Sequence, residues 1–309
     1  MTSRSRTAAV TLALVAVAAM WGGTFVMVKD AVERYPLYGF LALRFGIAVV
    51  AFVVLFPRSV RTMRRDTLWV GALAGAFLCA GYVFQTWGLQ GTSATKAAFI
   101  TGMFVVITPI MQAVLLRRPP RVSTVAGVTL AVTGLWLLSA ADSGGWTVGD
   151  TRVFLCAVAY SAHMIVLGSL GRKHDVLPLT LVQLAVTAVV CGAIALATEP
   201  IALPGDGSVW VALVLTGVFA SAVAFAVQTY AQQHISPSRT ALILISEPAF
   251  GGLFGWAAGE ALGVRGIAGA VLILGGMVLA EVVAARAPAS DHVVFEPAIE
   301  GPSVPIAEE

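Results

Sequence analysis

Polar and apolar positions in this chain separate into long apolar runs and short polar connectors. Ten runs reach the roughly 20 apolar residues that an α-helix needs to cross a hydrocarbon core. They lie at about 8–29, 37–56, 67–88, 94–116, 122–140, 149–168, 176–197, 208–230, 237–258 and 263–284. The connectors carry turn formers: Tyr35-Pro36, Arg117-Arg118-Pro119-Pro120, Asp142-Ser143-Gly144-Gly145 and Pro204-Gly205-Asp206-Gly207. None is long enough to fold as a separate domain. The pattern predicts an all-α integral membrane protein of ten transmembrane helices. Residues 287–309 hold four prolines, five acids and no Lys or Arg, and read as a disordered cytoplasmic tail.

Composition agrees. Of 309 residues, 58% are hydrophobic and 11% charged, against roughly 25% charged in soluble domains. The net charge of +3 gives no electrostatic support for nucleic-acid binding. Cys79, Cys156 and Cys191 each lie inside an apolar run without a CxxC pair or a neighbouring His cluster. They read as small core residues, and neither a metal site nor a cofactor is expected.

Charge placement sets an orientation. Arg4, Arg6, Arg58, Arg61, Arg64, Arg65, Arg117, Arg118, Arg121, Arg172, Lys173, Arg239 and Arg286 fall on one side. Lys29, Arg34, Lys96, Arg152 and Arg265 fall on the other, and Arg44 stays inside a run. The richer side is expected to be cytoplasmic, with both termini on it, in the inner or plasma membrane. Trp87, Trp136, Trp146, Trp210 and Trp256 fall near the outer interface and Trp69 near the inner one. A cleaved signal peptide over residues 1–29 is the weaker reading, because its apolar run is too long and nine more follow.

The two halves resemble each other. Gln85-Thr86 is echoed by Gln228-Thr229, Thr95-Lys96-Ala97-Ala98 by Ser238-Arg239-Thr240-Ala241, and GVTLAVTGLWL at 127–137 by GAVLILGGMVL at 269–279. Thr108-Pro109 pairs with Glu247-Pro248 if a gap of a few residues is allowed. Each half holds five runs, an odd number, so the second must enter the membrane upside down. This predicts two inverted five-helix repeats, over 8–140 and 149–285. Inverted repeats characterise secondary transporters that bind substrate near the midplane. A non-transporting membrane scaffold or a lipid flippase is the alternative.

WGGTFVMVK at 21–29, ALRF at 42–45, TSATKAAFITGMFVVITP at 92–109 and EPAFGGLFGWAAGE at 247–260 resemble the EamA family of the drug/metabolite transporter superfamily. So does the glycine-spaced LILGG that ends at Gly276. The resemblance spans about 8–285. It implies export of a small amino-acid-like or drug-like metabolite. The family often has Asn where this chain has Thr24, and Arg118 stands where the second half has Glu260.

Glu247 lies about ten residues from either end of its run, ~15 Å deep at 1.5 Å per residue. A charge there costs at least ~2.5–3.5 kcal/mol, so the acid should face the bundle interior or a wet cavity. A neutral Glu that hydrogen-bonds two helices together is the rival role. Pro248 and Pro109 each remove a helix hydrogen bond at depth and are candidate hinges. Gln85 and Gln228 could bind substrate or cap frayed helix ends. Arg44 could bind a carboxylate, pair with Glu247, or snorkel outward, with snorkelling favoured. His163 is a proton-relay candidate, though a lone His on a span more often makes a structural hydrogen bond. Trp21 and Thr24 complete the candidates, with packing favoured over stacking on substrate for Trp21. Gly251, Gly255 and Gly259 form a small-residue packing face.

Two apparent motifs fail. SATK at 93–96 lacks the companions of a serine acyl-enzyme site, and GTSATK lacks the ending of a phosphate-binding loop. With no cluster of nucleophile, base or metal ligands, an enzyme is not expected. Transport energy would then come from gradients, with protons as the candidate coupling ion.

Overall fold

The computed structural model describes residues 3–92, 94–117, 120, 122–139, 146–200, 202–257 and 263–286. Its regular structure is helical throughout. The predicted 287–309 tail, the connector at Ser143, Arg118 and Glu260 lie outside the described residues. Among the described residues, six helical stretches are long and apolar enough to cross a membrane: Arg6–Arg34, Leu37–Leu55, Arg65–Leu89, Val148–Lys173, Val176–Thr198 and Gly207–Gln232. Shorter apolar helices run over Ile100–Leu116, Val122–Leu137 and Gly263–Leu279. The chain is a multi-pass membrane protein, and its outer surface fits a lipid solvent. Val54, Val122 and Val264 are 73%, 86% and 85% exposed, an apolar display that water would penalise.

Several runs that read as single helices are interrupted. The first is α1 (Ser3–Gly22) and α2 (Thr24–Arg34), parted at Gly23. α3 (Leu37–Leu55), the short α4 (Arg58–Arg61) and α5 (Arg65–Leu89) follow. The fourth run is α6 (Ala94–Gly102) and α7 (Phe104–Leu116), parted at Met103. α8 (Val122–Ser139), α9 (Val148–Ser169) and α10 (Val176–Thr198) are continuous. The eighth run is α11 (Gly207–Gly217), a wide π-helical segment at Val218–Val223, and α12 (Ala224–Gln232). The ninth is α13 (Pro237–Leu244) and α14 (Glu247–Ala257), parted at Ile245-Ser246, and α15 (Gly263–Arg286) ends the bundle.

The breaks have local causes. Pro248 stands in the first turn of α14, where a helix needs no N–H. The last turn of α13 tightens instead, as the Ser246 N–H donates to the Ile243 carbonyl at 3.2 Å. Pro109 sits inside α7, six residues beyond the break at Met103. Helix starts follow ordinary capping. Thr147 and Asp150 form a reciprocal capping box on α9, and Ser236 caps α13. Asp206 caps α11. The Ser208 backbone N–H and the Arg34 guanidinium hold its carboxyl below the usual range.

Candidate functional site

Side chains from α1, α2, α3, α5, α6, α7, α9, α12, α13 and α14 converge on one cavity, whose empty space, open solvent included, is about 620 Å³. The seven candidate binding residues fall on six separate runs of the sequence, and all seven line it: Trp21, Thr24, Arg44, Gln85, His163, Gln228 and Glu247. The prolines do not. Pro109, inside α7, and Pro248, just after the break at Ile245-Ser246, are buried but do not line the cavity.

Aromatic rings form much of the wall. Tyr82 meets Phe225, Tyr160 and Phe45 edge-on, with centroids 6.0, 5.7 and 4.9 Å apart. Trp21 tilts against Phe225 at 5.5 Å and spends its indole N–H on the Ala220 carbonyl at 2.7 Å. That carbonyl lies in the π-helical segment, where wider winding disturbs the usual helix partners. Trp21 is thus both packed and part of the wall. Thr24 donates to the Trp21 carbonyl at 2.8 Å across the break at Gly23.

Arg44 corrects one expectation. It does not snorkel: the residue is 3% exposed. Its Nε donates to Ser221 Oγ at 3.0 Å and its Nη2 to the Tyr82 hydroxyl at 3.3 Å, with the guanidinium 4.7 Å from the Tyr82 ring centroid. Cation–π contact and hydroxyl acceptors replace water. Arg44 and Glu247 line the same cavity without an ion pair between them.

Glu247 is 8% exposed, at the start of α14. Its carboxyl makes no hydrogen bond or ion pair with another described residue, which disfavours the purely structural role. The backbone beneath it is tightly held. A methyl group on Gly22 would lie 2.5 Å from the Glu247 carbonyl oxygen and 2.8 Å from the Gly251 nitrogen, so α1 meets α14 backbone to backbone. Gly251 therefore does form a close-packing face, while Gly259 lies outside the described residues.

His163 makes the structural hydrogen bond that was favoured for it, yet keeps an edge on the cavity. Its Nε2 is 2.7 Å from Gln183 Oε1. The Gln183 amide nitrogen donates to the Leu179 carbonyl at 3.0 Å, which turns Oε1 toward the ring and puts the proton on Nε2. Gln85 donates to Thr101 at 3.4 Å and accepts from the Tyr160 hydroxyl at 3.4 Å. Gln228 donates to Gln232 at 3.3 Å. Among the described residues no group of three or more His, Cys, Asp or Glu could hold a metal ion.

Sequence reasoning missed Tyr82, Phe225, Tyr160, Thr101 and Gln183. A signal existed for the first pair. Tyr82 and Phe225 each precede a repeated glutamine by three residues, one helical turn, on the same face.

Comparison with known proteins accords with this architecture. The sequence profile of the EamA-like transporter family matches residues 8–140 and 147–281. An uncharacterized transporter from Archaeoglobus fulgidus is 31% identical over 243 residues, covering 79% of this chain and 76% of that protein. The uncharacterized transporter YetK of Bacillus subtilis is 29% identical over 142 residues, 43% of this chain and 42% of that one. A solved crystal structure shares the fold with a TM-score of 0.76 at 20% identity, over 89% of this chain and 99% of the other.

Proposed function

This chain belongs to the EamA-like transporter family, within the drug/metabolite transporter superfamily, and from that premise we propose that it is a gradient-driven secondary carrier. It exports a small amino-acid-like or drug-like metabolite across the inner or plasma membrane, and it is not an enzyme. Its helices form ten spans in two inverted repeats, with both termini cytoplasmic.

The observation that carries this reading is Glu247, a buried carboxyl without a partner among the described residues, on the wall of a central aromatic cavity. A scaffold has no need of such a group. A carrier uses it to hold either a proton or the cationic group of its substrate, but not both. That exclusivity couples the two movements. Arg44, equally without an anionic partner, can meet a substrate carboxylate at the same cavity.

The inverted-repeat reading draws support from contacts that recur at a fixed interval. Tyr82, Gln85, Thr101 and Phe104 each line the cavity, as do Phe225, Gln228, Leu244 and Glu247, 143 residues later. Trp21, Thr24 and Phe25 likewise match Tyr160, His163 and Met164 at 139 residues. About a two-fold axis, residues at the axis meet their own matches and every other contact across it occurs twice. A methyl group on Gly102 would meet Ile245, its match, at 2.7 Å, and Tyr82 packs on Phe225. Where α8 crosses α15, Gly134 abuts the Gly269 carbonyl and Gly276 abuts the Gly127 carbonyl. The approach of Gly22 to Gly251 is matched by the 3.1 Å hydrogen bond from Thr108 to Ser161. In this register Pro109 matches Gly252 rather than Pro248, and the two helix breaks match each other.

The test is transport by purified protein in liposomes, with a panel of amino acids, amines and lipophilic drug cations. An imposed proton gradient should drive at least one compound against its own gradient. No movement of any panel member, with or without the gradient, would overturn the carrier reading.

A further inference from the structure

The two halves treat their matched glutamines differently. Gln85 is satisfied at both ends, by Thr101 and by the Tyr160 hydroxyl. Gln228 uses only one end. Its Nε2 donates to Gln232 Oε1, and Gln232 Nε2 donates to the Met164 backbone carbonyl at 2.9 Å. A backbone carbonyl can only accept, so it fixes the orientation of Gln232 and, through it, of Gln228. What is left is Gln228 Oε1, buried and without a hydrogen-bond partner.

The cause is legible in the sequence. The positions that match Thr101 and Tyr160 in the other half are Leu244 and Trp21. Leu244 has no hydroxyl, and the single N–H of Trp21 is committed to Ala220. The hydroxyl that donates to Gln85 Oε1, Tyr160, and the hydroxyl that accepts from its amide, Thr101, are therefore both lost around Gln228. A buried acceptor without a donor disfavours its state by on the order of tenfold or more. Such a group persists where a ligand supplies what the protein withholds.

Gln228 and Glu247 line the same cavity, among Trp21, Tyr82, Tyr160 and Phe225. We propose that the cavity takes a protonated primary amine on an aromatic or apolar body, and that Gln228 reads its N–H donors. The ammonium donates one N–H to Gln228 Oε1 and another to Glu247, while the rings cover the body. Glu247 supplies the attraction for charge, which any ammonium satisfies. Gln228 supplies the discrimination, because a quaternary ammonium carries equal charge and no donor. This deepens the carrier reading and rests on it.

The test is calorimetric binding to the full-length protein in lipid nanodiscs, with phenethylamine and its N-methyl, N,N-dimethyl and N,N,N-trimethyl derivatives. The series keeps the ring and the single positive charge while removing donors one at a time. Wild type should bind the trimethyl compound about tenfold or more weaker than the primary amine. Gln228→Leu should bring the primary amine down to the level of the trimethyl compound and leave the latter unchanged. Leu244→Thr keeps the glutamine but sets beside it a hydroxyl able to donate to its Oε1, and should remove the same preference. Equal wild-type affinity across the series means that water meets the orphan oxygen, and overturns the inference, as does failure to bind any of the four. Transport in liposomes reads the carrier function separately. Graded binding without movement of any panel compound removes the carrier reading and leaves the amine site standing.

Discussion

Single residues decide how close the helices of this bundle come. Gly22→Ala is the sharpest case, because its new methyl group would strike backbone atoms of Glu247 and Gly251, which no rotamer change can relieve. We expect a loss of about 1–3 kcal/mol, typical of overpacking, and impaired transport as Glu247 is pushed out of place. Gly46→Ala, in α3 with nothing within 4 Å of the new methyl, is the control and should hold or raise the melting temperature. Thermal unfolding of both variants in detergent checks this. At this scale the sequence picked out polar residues that line the cavity, but not their partners. Depth alone exposed Glu247, since an acid amid apolar residues is costly wherever it sits. Arg44 misled because its acceptors, Ser221 and Tyr82, lie on other helices, 177 and 38 residues away.

Elements were legible as apolar runs, and their interruptions were not. Proline marked one break correctly, since Pro248 opens α14 directly after the turn at Ile245-Ser246. The break at Met103 carries no proline, and Gly102, packed against Ile245, is its only local sign. The prolines should therefore contribute unequally. Pro248→Ala restores an N–H that can reach the Leu244 carbonyl and join α13 to α14. It should slow transport severalfold with expression intact. Pro109→Ala only straightens α7 and leaves the Met103 break, so its effect should be smaller. Initial transport rates in liposomes compare the two, and equal rates for both variants and wild type would show that continuity of these helices is irrelevant to turnover.

Over the whole molecule, the proposed topology inserts two five-helix halves in opposite senses and puts the side richer in Arg and Lys in the cytoplasm. In a variant lacking Cys79, Cys156 and Cys191, a cysteine at Ser208 should react with an impermeant reagent in intact cells, and one at Thr62 only after lysis. The reverse pattern, or both sites labelled alike, contradicts the proposed topology. Repetition also explains what the sequence concealed. Echoed motifs predict two halves with a gap around the prolines, whereas the proposed register, read from the contacts around Gly102 and Gly251, contains none.

The central claim is that Glu247 exchanges a proton for substrate. It is tested most directly by trapping a pH-sensitive dye in liposomes that hold the protein, then adding a compound that the transport panel identifies. Wild type should move protons in the direction opposite to the substrate. Glu247→Gln keeps the shape of the neutral acid but cannot ionise; it should fold, insert and give no substrate-dependent proton signal. A Glu247→Gln protein with wild-type proton flux would contradict the account and leave the acid as a structural group.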